Sequence, residues 1–591
     1  MRNEHPNESV LANSLLKLSD KIMGISNRME AVPGKRLELT AVFVYAVAHL
    51  VMAIFHEPWY DEAVAWQIAR CASLQEILFE IPHYEGHPPL WHLILLPFAK
   101  LGAPYELSLT LVSLIFAGMA IGLIVFRSPF PRIVRLLLPF TYFFFYQYGV
   151  ISRPYCVMML AFVLLAISYQ RRNEKPGYYV LFLMLLCLTS AYGIVIAGGL
   201  AIVWVWEIWN LQNLGRFLKT FRTDRRIWWL AALLALALLL IAEIMPRDDT
   251  YAIDLITDLE DNNSLLVCLL YMLFGLPLDV SLISIYSTYT ILNRLPLDIS
   301  ILIPICFLGA IFWWIVILLG KKKKTVLLLL IPYGMYAVFS ALVYISPHHI
   351  GLGLLVFVFW FWVSSEAKDK VALQLKEREI IQNLATVFLA LSLIVSLFWS
   401  VFSCALDVCF LYASGREDAA FIKENGLDQC NIMVEWDVFY HDEAVTGMDT
   451  NHCWYADNVL PYAEGNLFFN YNDGNDQKAY STHKLASEEE NQEALMNWSQ
   501  CIPDVLYKKP KLDLVYGDSV SYLDYRLVYS KLCSKIWKGK LNYGQSNIYV
   551  RNELAEELGL TEVEPAYPKI MDLLVRINML DEETYKEWMN E

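Results

Sequence analysis

Residues 39–92 read LTAVFVYAVAHLVMAIF, then HEPWYDEAVAWQIARC, then ASLQEILFEIPHYEGHPPLWH, and the order of these parts decides the fold. The first part, Leu39 to Phe55, is an unbroken apolar run, about 17 residues and long enough to cross the hydrocarbon core of a bilayer. The next stretch, from Glu57 to His92, is a polar and aromatic loop. It carries adjacent carboxylates at Asp61 and Glu62, and histidines at 83, 87 and 92. At Pro88-Pro89-Leu90 the chain turns apolar again. Ionisable groups beside a membrane span are costly to hold there and mark chemistry or transport.

Working outward, the whole chain has this character. Of 591 residues, 57% are hydrophobic and only 18% charged, which excludes an ordinary soluble protein. Further apolar runs lie near 105–126, 134–150, 154–170, 178–191, 193–210, 227–244, 299–320, 325–344, 349–363 and 381–411. With the first, they predict a polytopic α-helical membrane bundle of about eleven spans. Two runs, Pro88 to Leu101 and 265–278, are short and read as interfacial helices.

The net charge of −15 conceals a segregation by sign. Basic residues gather in short loops, among them Arg127, Arg132 and Arg135; Arg171, Arg172 and Lys175; and Lys321 to Lys324. The positive-inside bias makes these loops and the N-terminal segment cytoplasmic. The first span then reads as a signal-anchor, and the odd count places the C-terminal region outside. Scattered in this way, the basic residues give no nucleic-acid-binding surface. The expected organisation is a cytoplasmic segment over 1–38, a membrane bundle over 39–411 with an outer loop at 57–104, and an extracytoplasmic α/β domain over 412–591. In that domain NIMVEWDVF (431–439), NLFFNY (466–471), KLDLVYG (511–517), YRLVYS (525–530) and SNIYV (546–550) read as strands. Ser487 to Trp498 and Leu554 to Glu591 read as helical. Cys430, Cys453, Cys501 and Cys533 would allow two disulfides if this region lies outside.

Candidate chemistry concentrates on the outer side. Successive residues of a helix point about 100° apart, so only one of Asp61 and Glu62 faces a given site. A carboxylate under aromatic cover at the membrane surface suits a general base. His83, His87 and His92 cluster with Glu85, but the Pro-Pro pair interrupts any helix that would align them as metal ligands, and lining of a polar cleft is the better reading. Arg153, in GVISRPYCVMML, lies at an outer turn where the inside-positive bias gives no reason for a cation. Its guanidinium suits a phosphate at headgroup depth. His348 and His349, at another outer turn, join such a site or cap a span. Gly198-Gly199 reads as a close helix contact.

Taken in order, WYDEA (Trp59 to Ala63), GHPPLWH (Gly86 to His92), SRPY (Ser152 to Tyr155) and YASGREDAAFIKENG (Tyr412 to Gly426) resemble the GT-C superfamily of membrane glycosyltransferases, which includes the protein O-mannosyltransferases and the aminoarabinose transferases. The resemblance is best over the first 170 residues. It implies a polyprenyl-phosphate sugar donor, a glycan, lipid or protein acceptor, and transfer with inversion at the outer membrane face. It makes Asp61 the base, with Glu62 beside it. Arg153 would hold the departing lipid phosphate, with Tyr155, His87, Glu85, His83 and His348 lining the substrate site. No cofactor is implied; metal dependence varies across the superfamily, and a divalent metal is an open alternative that no motif here supports. Many relatives carry a second acid beside the Arg-Tyr turn; here the neighbours are Ile151, Ser152, Pro154 and Cys156, so a two-carboxylate mechanism holds only if Glu62 or Glu85 substitutes. A transporter or flippase of lipid-linked sugars is the alternative, and it accounts less well for the large outer domain.

Overall fold

The structure, a computed structural model, describes residues 6–211, 223–250, 262–283, 288, 299–368, 375–441, 444–537 and 540–566. The chain divides into two compact units. The first comprises Met1–Phe55, Ser73–Ala405 and Ile536–Lys540; the second comprises His56–Ala72, Leu406–Lys535 and Leu541–Glu591. The loop expected at 57–104 is thus shared, its first part belonging with the C-terminal residues.

The first unit is a helical bundle. Among the described residues, eight helices are long and apolar enough to cross a membrane: Arg36–Phe55, Tyr105–Arg127, Ala191–Asn210, Arg225–Ile244, Leu265–Ile283, Leu302–Lys323, Pro347–Glu366 and Gln382–Cys409. Three expected spans appear as shorter apolar helices, Tyr155–Tyr169, Pro176–Cys187 and Val326–Leu342. Two expectations need correction. The run expected to end near 278 belongs to a helix that continues to Ile283 through two π-helical stretches and is longer than expected. The 134–150 run is not one α-helix. It passes from Arg132–Leu137 into a 3₁₀ turn, Leu138–Phe140, and then into a π-helix, Phe143–Val150. Leu90–Lys100 is short, as expected. The N-terminal segment forms a helix, Pro6–Glu30, which the sequence pattern did not announce.

Basic residues of these segments also make structural contacts. Arg132 is buried, its guanidinium 2.7 Å from the Glu38 carboxylate, and its backbone N–H donates to Glu30 at 2.9 Å. Lys323 Nζ donates to the Ala367 carbonyl at the end of the Pro347–Glu366 helix, 2.6 Å away, which occupies one of the carbonyls a helix terminus leaves open.

The second unit contains a four-stranded sheet of order β1-β4-β6-β5, with β1 Ile432–Val434, β4 Val505–Tyr507, β5 Tyr525–Trp537 and β6 Lys540–Arg551. β1 pairs parallel with β4, and β4 antiparallel with β6. A separate antiparallel ribbon joins β2, Asp437–His441, to β3, Ala444–Asp449. The strands expected at 525–530 and 546–550 are present. The single strand expected over 431–439 is two, β1 and β2, divided at Glu435-Trp436. NLFFNY contributes only one bridge, Phe468 to Ile432, because Asn470 turns its side chain onto the Val434 backbone. KLDLVYG is a helix, Leu512–Tyr516, rather than a strand. Its apolar residues recur at 512 and 515, a helical spacing that a five-residue window does not distinguish from alternation. The helix at Glu488–Trp498 matches expectation. At the C-terminus the helix is only Asn552–Glu557, with Leu560–Ala566 irregular; the remainder of that expectation lies outside the described residues. All eleven cysteines are free thiols, and Cys453 is fully buried.

The YASGRED junction has a structural task in this unit. Asp418 is fully buried, and one carboxylate oxygen accepts from Ser414 at 2.8 Å, Tyr507 at 2.6 Å and Ser546 at 2.6 Å. The helix Gly415–Glu424 is thereby fixed to β4 and β6. Burial raises the Asp418 pKa, against the lowering pull of Lys508 and the three hydroxyl donors.

In the first unit, Gly199 explains a close helix contact. A Cβ there would stand 2.6 Å from Pro332 Cα, so the Ala191–Leu211 helix packs backbone to backbone on Val326–Leu342. Gly199→Ala is expected to destabilise the protein by about 1–3 kcal/mol in detergent unfolding, since the obstacle is backbone rather than a flexible side chain. Gly122→Ala, where a Cβ meets nothing within 4 Å, should stay within about 0.5 kcal/mol of the parent.

Candidate functional site

The most concentrated polar chemistry of the membrane unit depends on the π-helix Phe143–Val150. Wide turns displace the backbone hydrogen bonds: Ile151 N–H donates to Tyr146 O, five residues back, at 3.1 Å. Neighbours take up backbone carbonyls here. Tyr45 donates to Phe144 O at 3.1 Å, Ser113 donates to Gly149 O, and Ser152 donates to Leu109 O at 2.9 Å. Gly149 is required, because a Cβ would lie 2.7 Å from the Tyr45 hydroxyl. The segment ends at Ser152-Arg153-Pro154, and Pro154 opens the Tyr155–Tyr169 helix. Arg153 is thereby held, half-buried, between two helical elements.

Around it converge residues from distant parts of the sequence. The Arg153 guanidinium lies 6.0 Å from the Tyr155 ring centre, at the outer limit of a cation–π contact. Tyr155 stacks on Tyr148, with ring centres 5.0 Å apart, and lies 5.6 Å from His348. Tyr148 donates to His348 O at 2.7 Å and Tyr336 to His349 O at 2.9 Å, so both imidazoles sit on a braced first turn of the Pro347–Glu366 helix. His349 also caps that helix, its Nδ1 accepting from Ser346 N at 3.2 Å. Arg153 and His87 both act electrostatically on the His348 and His349 rings, and Arg153 on buried His92. Of the expected site residues, Arg153, Tyr155, His87 and His348 are thus brought together. His92 and His349, named in the sequence but left outside the expected site, join them. Tyr148 and Tyr336 were missed. A guanidinium with several imidazoles beside it is suited to an anionic oxygen ligand, while the Tyr148 and Tyr336 hydroxyls are spent on backbone carbonyls.

His83 goes elsewhere. Its Nδ1 is 2.7 Å from Met245 O, while the neighbouring Tyr84 contacts Asp249 and Arg247. Glu85 ends the short helix Ile81–Glu85, and Gly86, at φ +62°, redirects the chain before His87. Among the described residues no group of three or more His, Cys, Asp or Glu has the geometry of a metal site.

Asp61 and Glu62 belong to the second unit, at the start of the helix Tyr60–Cys71. One face of this helix is clamped. Tyr60 contacts Ser481 at 3.3 Å, Gln67 donates to Ala479 O at 2.8 Å, and Arg70 donates to Leu460, Ala463 and Glu464 carbonyls at 3.0–3.2 Å. Ser481 in turn donates to buried Asp457, which also accepts from Tyr471. The two carboxylates diverge as their spacing requires. Glu62 is buried and accepts from the Trp59 backbone N–H at 3.3 Å, which satisfies one of the open donors at the start of its helix. Asp61 remains half-buried beside Tyr60, whose ring meets Trp454 edge-on at 4.6 Å.

Glu62 has a second partner that the sequence pattern did not disclose. His56 Nε2 lies 3.3 Å from Glu62 and its Nδ1 2.8 Å from Asp407, with all three groups buried. Burial alone would lower the His56 pKa. The Asp407 and Glu62 carboxylates outweigh it and raise the pKa to about 10, so His56 is an imidazolium between two acids. Glu57 adds an ion pair to Arg416 at 3.9 Å. The available signal was Asp407 itself, an acid in the apolar run 381–411.

No protein-family model and no curated protein matches the chain.

The buried triad predicts a pH dependence. A histidine whose folded pKa is raised contributes stability in full below its unfolded pKa, about 6.5, and loses it as pH rises through the folded value near 10. Unfolding of the parent, followed from pH 6 to 10.5, should therefore show a stability loss that His56→Gln lacks. A parallel decline in both proteins would assign it to other groups.

Proposed function

We propose that this protein is an inverting glycosyltransferase of the GT-C type, moving a sugar from a polyprenyl-phosphate donor to an acceptor hydroxyl at the outer membrane face. The observation that carries the reading is the convergence on Arg153 of Tyr155, His87 and His348 within a helical membrane unit. A lipid phosphate leaving group needs a fixed cation and hydrogen-bond donors where negative charge develops. A bilayer-embedded unit gives its lipid tail an apolar surrounding.

The resemblance assigns the base to Asp61. In the proposed reaction its carboxylate takes the acceptor hydroxyl proton as that oxygen attacks the anomeric carbon. The bond from that carbon to the phosphate oxygen breaks, and the polyprenyl phosphate departs with the electron pair. Glu62, engaged by His56 and the Trp59 N–H, fits a positioning role better than a second base. The clamped helix Tyr60–Cys71 supports the assignment by limiting how far Asp61 can move.

The proposed sidedness, with the N-terminus cytoplasmic and the C-terminal unit outside, keeps Lys321 to Lys324 cytoplasmic only if Asn262 and Ile299 lie on the same side of the bilayer. Single cysteines at positions 250 and 87 should label with an impermeant maleimide from outside intact cells; labelling only after permeabilisation overturns the orientation.

With membranes containing the protein and a panel of polyprenyl-phosphate sugars, Asp61→Asn should lower transfer about 10²–10⁴-fold while donor binding persists. Arg153→Ala should weaken donor binding roughly 10- to 100-fold, as loss of a charge-assisted hydrogen bond requires. Full transfer activity in the Asp61→Asn protein would remove the base. A transporter or flippase would instead move the lipid-linked sugar between leaflets without forming product.

A further inference from the structure

We propose that His349, through its Nε2–H, is a direct hydrogen-bond donor to a phosphate oxygen of the lipid donor at Arg153. The inference rests on the reading of the Arg153 cluster as a phosphate site. It names the atom that recognises the oxyanion beside the guanidinium.

The backbone fixes which ring nitrogen carries the proton. His349 Nδ1 lies 3.2 Å from Ser346 N and 3.2 Å from Ser346 Oγ. A backbone N–H can only donate, so Nδ1 receives that bond as an unprotonated nitrogen. The neutral imidazole then keeps its proton on Nε2. The two nitrogens lie on opposite sides of the ring. With Nδ1 turned back to the start of the Pro347–Glu366 helix, Nε2–H is directed away from it.

That donor is orphaned. His349 is only 3% exposed, and among the described residues its Nε2 has no hydrogen-bond partner. The rings packed around it belong to His348, with centres 4.2 Å apart, Tyr192 at 4.3 Å and Tyr344 at 5.5 Å. Tyrosine hydroxyls of this cluster donate to backbone carbonyls instead: Tyr192 to Tyr344 O, Tyr336 to His349 O and Tyr148 to His348 O. Nearly every buried donor of a native protein is paired, so an orphan at a polar cluster marks the place of a ligand acceptor.

The neighbours select the acceptor. Tyr155 bridges the two groups, its ring 6.2 Å from the His349 ring and 6.0 Å from the Arg153 guanidinium. Arg153 and His87 both act electrostatically on His349. An N–H donor beside a fixed cation favours an anionic oxygen with several lone pairs, and a phosphate offers one oxygen to each.

The test is binding of a polyprenyl phosphate without sugar to the full-length protein in detergent, read by native mass spectrometry. In His349→Asn the shorter amide sits at the Nδ1 position, still accepts from Ser346 N, and supplies no donor at Nε2. In His349→Gln the longer amide carries an N–H to the Nε2 position. His349→Asn should weaken binding about 10- to 100-fold, as loss of a hydrogen bond to a charged group requires, and His349→Gln should restore most of it. A histidine that served only as a helix cap would give the reverse order, and that order overturns the proposal. So does undiminished binding in His349→Asn; melting temperatures of both variants check that the fold is retained. Complete displacement of the lipid by inorganic phosphate at equal concentration would assign His349 to a free phosphate and overturn the lipid assignment. Absence of binding by the parent removes the phosphate site and this inference with it. Binding that depends on His349 in a protein that transfers no sugar would sustain this inference and count against the transferase reading alone.

Discussion

Inside a bilayer, backbone amides and carbonyls find no water, so each must be paired within the protein. That constraint governs the first unit, and it has most consequence where the chain leaves α-geometry at Phe143–Val150. Hydroxyls of Tyr45 and Ser113 are committed to backbone carbonyls in that stretch, and Ser152 at its end donates to Leu109 O of the Tyr105–Arg127 helix. Once they are in place, the chain can turn at Ser152 and present Arg153 without leaving its backbone unsatisfied. The π-helix is therefore the support of the arginine, and Gly149 and Gly351 are the small residues that let the tyrosines close upon it. A Cβ at Gly351 would collide with the Tyr148 hydroxyl that braces His348.

The second unit meets a related requirement with charge. His56, Glu62 and Asp407 are all buried, and a buried ion without a partner carries a penalty of several kcal/mol. The arrangement of one imidazolium between two carboxylates satisfies each member and joins residues 351 positions apart. It also separates the duties of two adjacent acids. Glu62 is bound into the support of its helix, and Asp61 stands half-buried beside the Tyr60–Trp454 pair.

The sequence was legible where a pattern is local. Long apolar runs and segregated basic loops announced the helical membrane unit. YRLVYS and SNIYV announced parts of β5 and β6, and the stretch Ser487 to Trp498 announced the Glu488–Trp498 helix. It was illegible where two periodicities compete over few residues, as in KLDLVYG, or where helix type changes without a change of composition, as in FFFYQYGV. The 265–283 helix was underestimated because Pro277 and Asp279 look like a terminus, although the helix continues through both in wider turns.

Composition and charge pattern alone determined that this is a polytopic membrane protein with a strand-bearing C-terminal region, because burial of apolar surface and loop charge are properties of consecutive residues. They also singled out Asp61 and Arg153 as anomalies. Tertiary structure decided what the anomalies are attached to. Only folding brings His87, His348 and Tyr155 to Arg153, and His56 and Asp407 to Glu62, since these encounters depend on helix ends that meet in space and leave no periodic trace along the chain.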